Sequence, residues 1–224
     1  MKLTIFITIF CIVASYTCDS FAQDAQKKTM RKYTVGLYPL STIDGGLTVD
    51  FEKRMKDTRN WGKVKLSGYY APTIEDNSNF EYWSFLSGNE DYRGLKGGGL
   101  EIGYKSFFHK EIFYWAGGLH YNYYNVTYRH HGYEPFVADD MTYYQYLISY
   151  KDQQFNKIGA SLYLGVQTPL NARFICDGYL SLGYVRSFYD KNKAAFDSTI
   201  LSFGHSGFTI WTGIRVGLSF GKVK

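Results

Sequence analysis

Cysteine, proline and long apolar runs are all scarce in this chain of 224 residues, which contains three Cys and four Pro. After residue 18 no stretch approaches the roughly 20 apolar residues of a membrane-spanning helix, so a multi-helix membrane protein is excluded. The chain also has no large excess of one charge sign, because 25 basic and 20 acidic residues leave a net charge of only +5. We therefore expect no nucleic-acid partner. No nucleotide-binding glycine motif is present, and we expect no cofactor.

The first residues have the pattern of a removable export signal. Met1-Lys2 is basic, residues 3–13 are mostly apolar, and Ser20-Phe21-Ala22 places small residues at the positions that a signal peptidase reads. The pattern predicts a signal peptide over residues 1–22, cleaved between Ala22 and Gln23.

Two alternatives for this segment are a lipoprotein cut before Cys18 and a retained anchor helix. Cleavage after Ala22 would leave Cys176 as the one cysteine of the mature chain, which cannot form an internal disulfide. No shift in composition divides the remainder, so residues 23–224 are predicted to form a single domain.

The mature sequence alternates with a period of two, which is the signature of β-strands whose two faces meet different surroundings. Eight segments show this pattern. In the last of them the even positions are nearly all apolar and the odd positions are small, polar or charged. The even positions are Phe208, Ile210, Thr212, Ile214, Val216, Leu218 and Phe220.

The predicted connections are alternately short and long. Short polar stretches fall at about 55–60, 106–110 and 168–172, whereas those at about 72–95, 126–143 and 189–206 are long, and a tight first turn falls at 41–45. This arrangement is typical of outer-membrane barrels, with brief periplasmic turns and longer external loops. We therefore predict an all-β fold, an eight-stranded antiparallel up-and-down transmembrane β-barrel.

A soluble barrel such as a lipocalin, or a β-sandwich, is the alternative, since both also alternate. In those folds the apolar face points inward and the outer face is well solvated. Here the less apolar face carries many Gly, Ser and Thr and only scattered charges, which suits a narrow lumen. Many of the 22 Tyr and 4 Trp, such as Tyr69-Tyr70 and Tyr82-Trp83, cluster near predicted strand ends, where amphipathic rings suit the interfaces of a membrane.

Three glycine-aromatic stretches carry a resemblance to a known class: 45–52 (GGLTVDFE), 177–184 (DGYLSLGY) and 213–222 (GIRVGLSFGK). They resemble the small outer-membrane barrel proteins of Bacteroidetes, within the broad OmpA/OmpX-like, eight-stranded, porin-like class. The resemblance implies a bacterial outer-membrane location, with outer-membrane lipid as the surroundings. It implies an architecture and not an activity.

Seven charged residues are predicted to face the lumen. An eight-stranded barrel is only wide enough for its own side chains, so these charges should pair with one another. A polar plug that makes the barrel rigid is the preferred interpretation, and a gated or proton-linked narrow channel is the alternative. The predicted network is Asp50, Glu52, Lys65, Glu101, Lys105, Asp177 and Arg215.

Catalytic and metal-binding residues are few, and we predict neither an enzyme nor a metal site. Some barrels of this size modify lipid A with a histidine, for which the candidates are His120 and His205 in the sequence Gly204-His205-Ser206-Gly207. The pair His130-His131, with the acids Asp139-Asp140, could gather a metal within one loop. Solvated loop residues are the simpler interpretation of both features.

The leading functional hypothesis is a non-enzymatic membrane protein with a structural or surface-interaction role. Tyrosine offers a large contact area with few rotatable bonds. The loop at 126–143 is therefore the predicted contact surface, through Tyr128, Tyr133, Phe136 and Tyr143. The partner would be a surface ligand or a larger envelope complex. Two alternatives are a narrow channel or accessory subunit of an envelope transport or conjugation machine, and an enzyme that modifies lipid A.

Overall fold

The computed structural model describes residues 31–42, 46–55, 59–71, 92–108, 112–170, 173–190 and 203–222. The proposed signal peptide and its cleavage position lie outside these residues. Eight antiparallel strands within the described part form one closed barrel, in which each strand pairs with its neighbours along the chain and the last pairs with the first. The strands are β1 (Arg31–Leu37), β2 (Gly46–Arg54), β3 (Asn60–Ala71), β4 (Tyr92–Phe108), β5 (Phe113–Ala138), β6 (Met141–Pro169), β7 (Phe174–Phe188) and β8 (Gly207–Lys222).

The predicted strand number and antiparallel order are confirmed. A short 3-10 helix, Pro39–Thr42, begins the first connection, where a tight turn was expected. The connections at 55–59, 109–112 and 170–173 are short, as predicted, and they share one end of the barrel. Among the described residues, no helix has the length and apolar character required to cross a membrane.

The predicted loop at 126–143 is wrong, because the structure continues both flanking strands through it. Residues 126–138 of β5 pair in register with residues 141–153 of β6, and the turn consists of Asp139 and Asp140 alone. Both have positive φ, 51° and 59°. Two-residue hairpin turns of type I′ require this conformation, and Asp is one of the few residues besides Gly that tolerates it.

The hairpin extends well beyond the closed wall of the barrel. Strand β4 reaches β5 only up to the pair Tyr92–Tyr128, and β7 reaches β6 only up to the pair Asn156–Phe188. Above these points residues 129–138 and 141–150 form a two-stranded ribbon with no further neighbour among the described strands. Ten residues at about 3.3 Å each give the ribbon a length of about 33 Å. We call this segment the outer ribbon.

The two faces of the barrel wall differ sharply in polarity. Large apolar side chains on alternate positions of every strand are exposed on the outside, among them Leu66, Ile102, Leu119, Ile158 and Ile210. The inner positions carry buried polar and charged side chains. This distribution is the reverse of a water-soluble barrel and is that of a barrel whose outer wall contacts lipid.

Candidate functional site: the charged lumen and the outer ribbon

All seven predicted lumen residues point inward and contact one another in two connected groups. Six of them are almost fully buried, and Asp177 has no exposed surface at all. The side chain of Lys65 is 19% exposed. Their inward orientation follows from strand parity, because successive side chains of a strand point to opposite faces.

Arg215 on β8 is the centre of the first group. Its Nε atom donates to Asp50 at 2.8 Å, its Nη1 atom donates to Asp177 at 2.6 Å, and Nη2 lies 3.2 Å from Glu52. The hydroxyl of Tyr38 also donates to Asp50, at 2.6 Å. One guanidinium thus joins carboxylates from β2 and β7, which its five rigid donors suit well.

Glu101 on β4 is the centre of the second group. It forms an ion pair with Lys65, a second with Lys63 at 3.5 Å, and accepts a hydrogen bond from the Tyr163 hydroxyl at 2.8 Å. Lys63 lies outside the predicted set, although it shares the strand face of Lys65 two residues away.

Tyr38 links the two groups into one network, because its hydroxyl donates to Asp50 while the ammonium groups of Lys63 and Lys65 each lie 5.6 Å from the centroid of its ring. Lys105 belongs to the first group. Its ammonium lies 3.3 Å from Glu52 and 3.8 Å from Asp177, and donates to Gln167 at 2.8 Å. It also lies 4.1 Å above the Tyr114 ring, within the range of a cation–π contact. The network joins four carboxylates and four cations, so its formal charge is zero.

Gly36 makes room for this network because glycine has no side chain. A Cβ atom at Gly36 would overlap both the Arg215 guanidinium and the Asp50 carboxylate. A Cβ atom at Gly68, by contrast, would meet nothing within 4 Å. Gly36 therefore allows Arg215 to cross the inner face of β1 and reach β2.

Aromatic and apolar clusters fill the lumen on both sides of the charges. Toward the short connections, Trp61, Phe107, Tyr114, Ala116 and Tyr163 form a buried cluster. Toward the ribbon, Leu95, Val126 and Phe155 form a second cluster, covered by further rings including Tyr124, Tyr189 and Phe203. Among the described residues, the charges thus lie between two layers of packed aromatic and apolar side chains.

The histidines considered for catalysis have structural contacts. His205 lies 3.1 Å from the carbonyl oxygen of Phe208, and the Ser206 hydroxyl accepts from the Ser187 backbone N–H at 2.9 Å. Both side chains thus hold the turn before β8. His120 points into the lumen, where its Nδ1 atom lies 3.5 Å from the Ser161 hydroxyl, too far for a strong hydrogen bond.

The residues considered for a metal loop are far apart. His131 pairs with Ile148 within the ribbon, eight residues before the turn residue Asp139. At about 3.3 Å per residue these backbone positions are about 26 Å apart, so the sequence proximity of the two pairs is misleading. Within the described part of the chain, no group of three His, Cys, Asp or Glu could hold a metal ion.

Three of the four predicted contact residues are exposed on the outer ribbon. Tyr133 is 70% exposed and packs against Tyr146 with ring centroids 5.4 Å apart, and Phe136 stacks on Tyr143 at 5.5 Å. The prediction that Tyr128 is a contact residue is wrong, because this side chain is only 7% exposed at the base of the ribbon and is not available to a partner. These residues belong to strands and not to a loop, so their positions are fixed by the β-ladder.

No protein-family model and no curated protein matches the chain. Solved structures of similar fold include Neisserial surface protein A, at 11% identity and a TM-score of 0.40, with 84% of this chain and 95% of that chain covered. A major outer membrane protein from Thermus thermophilus has 12% identity and a TM-score of 0.40, with 84% and 98% covered. Acinetobacter baumannii CarO has 10% identity and a TM-score of 0.37, with 87% and 99% covered. At these identities the likeness concerns the fold alone.

Proposed function

We propose that the chain is a non-enzymatic integral protein of a bacterial outer membrane, exported by the signal peptide 1–22. The inverted polarity of the wall carries this proposal, because exposed Leu66, Ile102 and Leu119 would be unfavourable in water and are stabilised by lipid. The short connections would face the periplasm and the ribbon the outside. The glycine-aromatic stretches support membership of the Bacteroidetes-type small barrels.

The first part of the proposed role is structural, with a lumen that does not conduct. Ion pairs between distant strands and two aromatic clusters fill the interior, which supports a rigid plug. A narrow gated channel is the competing function. Planar-bilayer recording of the purified protein separates the two: we expect no discrete conductance from the native chain, and none after Arg215→Ala. Discrete openings in either protein would contradict the plug.

The second part of the proposed role is contact with an extracellular protein through the outer ribbon. One face of the ribbon continues the outer face of the barrel wall. It carries four side chains that are each at least half exposed: Tyr133, Tyr144, Tyr146 and Ile148. Aromatic rings of this kind are frequent at protein interfaces. The two ribbon edges also have no strand partner among the described residues, so an extended segment of the partner could pair with one of them.

Two experiments test the location and the contact separately. A folded barrel resists detergent until it is boiled, so gel migration of the membrane fraction should change on heating. Absence of that change would refute the membrane barrel. Deleting 130–149 and rejoining the strands with Asn-Gly should preserve the heat-dependent change. The native chain should bind to intact cells, and the deleted chain should not. A deleted chain that binds cells as well as the native one would refute the contact role.

A further inference from the structure

A pocket of about 430 Å³ lies at the base of the outer ribbon, where β7 ends and β6 continues with β5 as its only partner among the described strands. Its lining includes Asn125, Asp152, Gln153, Phe188 and Asp190. The last paired residues on that side are Asn156 and Phe188, so the pocket occupies the fork between the barrel wall and the ribbon. We call it the fork pocket.

Two residues that line the fork pocket carry a side-chain oxygen without a hydrogen-bond partner. Gln153 is only 2% exposed, and its side-chain Nε2 donates to the Gln154 carbonyl at 3.0 Å, but its Oε1 atom has no hydrogen-bond partner. The Oδ1 atom of Asn125 is likewise buried and unpartnered. Buried polar atoms are nearly always paired in proteins, so each of these two oxygens can accept a hydrogen bond from a bound molecule.

The other lining groups indicate which kind of molecule would donate that hydrogen bond. Asp152 accepts a hydrogen bond from Thr127 at 2.6 Å, which leaves its second carboxylate oxygen for another donor. Phe188 is 45% exposed and offers an apolar surface beside these acceptors. Several hydroxyl donors next to a C–H face are what a pyranose ring presents, and Asn, Gln and Asp side chains accept from hydroxyls.

The size of the pocket and the charge of its lining restrict the class of ligand further. A single cation could use the same oxygens, but the pocket is many times larger than the roughly 30 Å³ that one water occupies in the liquid. Asp152 lines it, and its exposed carboxylate would repel an acidic sugar. We propose that the fork pocket binds a neutral saccharide. That the saccharide reaches the pocket from outside the cell rests on the proposed orientation of the barrel. Its binding to the purified protein does not depend on that orientation.

The test uses the full chain folded in detergent micelles and three soluble probes: a malto-oligosaccharide, a chito-oligosaccharide and an oligogalacturonate. Saturation-transfer NMR and titration calorimetry should detect at least one neutral probe and not the acidic one. We expect Gln153→Leu and Asp152→Asn each to weaken binding about tenfold, since each removes or weakens one polar contact. Gln145→Leu, on the ribbon and outside the lining, is the matched control and should bind normally.

The heat-dependent gel change shows first that each variant is folded, and the exposed Asp152→Asn remains informative if Gln153→Leu does not fold. Failure of all three probes, equal binding of acidic and neutral probes, or native affinity in both variants would overturn the proposal. Binding of Ca²⁺ alone that is lost in Asp152→Asn would overturn it in favour of a cation site. Loss of the gel change in the native chain would refute the membrane barrel instead.

Discussion

Replacing Arg215 with Ala should destabilise the folded barrel by about 4 kcal/mol. Arg215 is 2% exposed and contacts Asp50, Asp177 and Glu52 at 3.2 Å or less. Its removal leaves the four buried carboxylates of the network against only three lysines. Breaking a buried ion pair by deleting one partner costs about 3–5 kcal/mol, because the remaining charge is neither solvated nor compensated.

Two further substitutions of arginine separate charge from geometry. Arg215→Lys keeps the charge but cannot direct separate N–H groups at Asp50 and Asp177, so we expect a loss of about 2 kcal/mol. Arg186→Ala is the matched control on β7. Arg186 is exposed and lies 5.4 Å above the Phe188 ring, a contact worth about 1 kcal/mol at most in such a position.

Urea titration of the protein folded in lipid vesicles measures these differences, with the folded fraction read from the unheated gel band. The unfolding midpoint and slope together give the free energy of unfolding. Pairing Arg215→Met with Asp50→Leu should cost less than the sum of the two single changes, because no lone charge remains between them. A loss for Arg215→Ala within about 1 kcal/mol of that for Arg186→Ala would refute the proposed importance of the network.

Two smaller predictions concern positions that the backbone constrains. Gly36→Ala should destabilise the barrel by about 2 kcal/mol because its Cβ would displace Arg215 and Asp50, whereas Gly68→Ala should change stability by less than about 0.5 kcal/mol. Equal urea midpoints for the two variants would contradict this. Replacing Asp139-Asp140 with Asn-Gly should stabilise the ribbon turn by about 1 kcal/mol, because Gly adopts positive φ without strain. Amide hydrogen exchange in the ribbon should slow about fivefold, and unchanged exchange would contradict the turn assignment.

The alternation of the sequence predicts which side chains share a face, but not which of them meet. Parity alone brings Asp50, Lys65, Glu101 and Arg215 to the inside. The contact of Arg215 with Asp50 depends on how the strands are staggered across a sequence separation of 165 residues, and a period-two pattern carries no information on that stagger. Lys63 could have been predicted, because it has the same parity as Lys65.

The period-two pattern does not reveal the strands of the outer ribbon, for a physical reason. Alternation is visible only where the two faces of a strand meet different surroundings. On the ribbon both faces are exposed, so Tyr143 and Leu147 occupy one face while Tyr144 and Tyr146 occupy the other. The contrast between faces is lost, and Asp, Gly and His among the tyrosines then resemble a loop. Tyr and Ile are nevertheless frequent in strands, which is the signal that remained in the sequence.

The charges of the lumen also explain how a short first strand can close the barrel. Strand β1 has only seven residues and pairs with β8 through positions that include Gly36 opposite Gly217. Neither glycine has a side chain to pack across the seam between the first and last strands. Arg215 on β8 instead passes over Gly36 and binds Asp50 on β2, so one ion pair spans the seam from β8 to β2. Because this contact exists only when β8 has met β1, the Arg215–Asp50 ion pair stabilises the closed barrel and gives nothing to an open sheet.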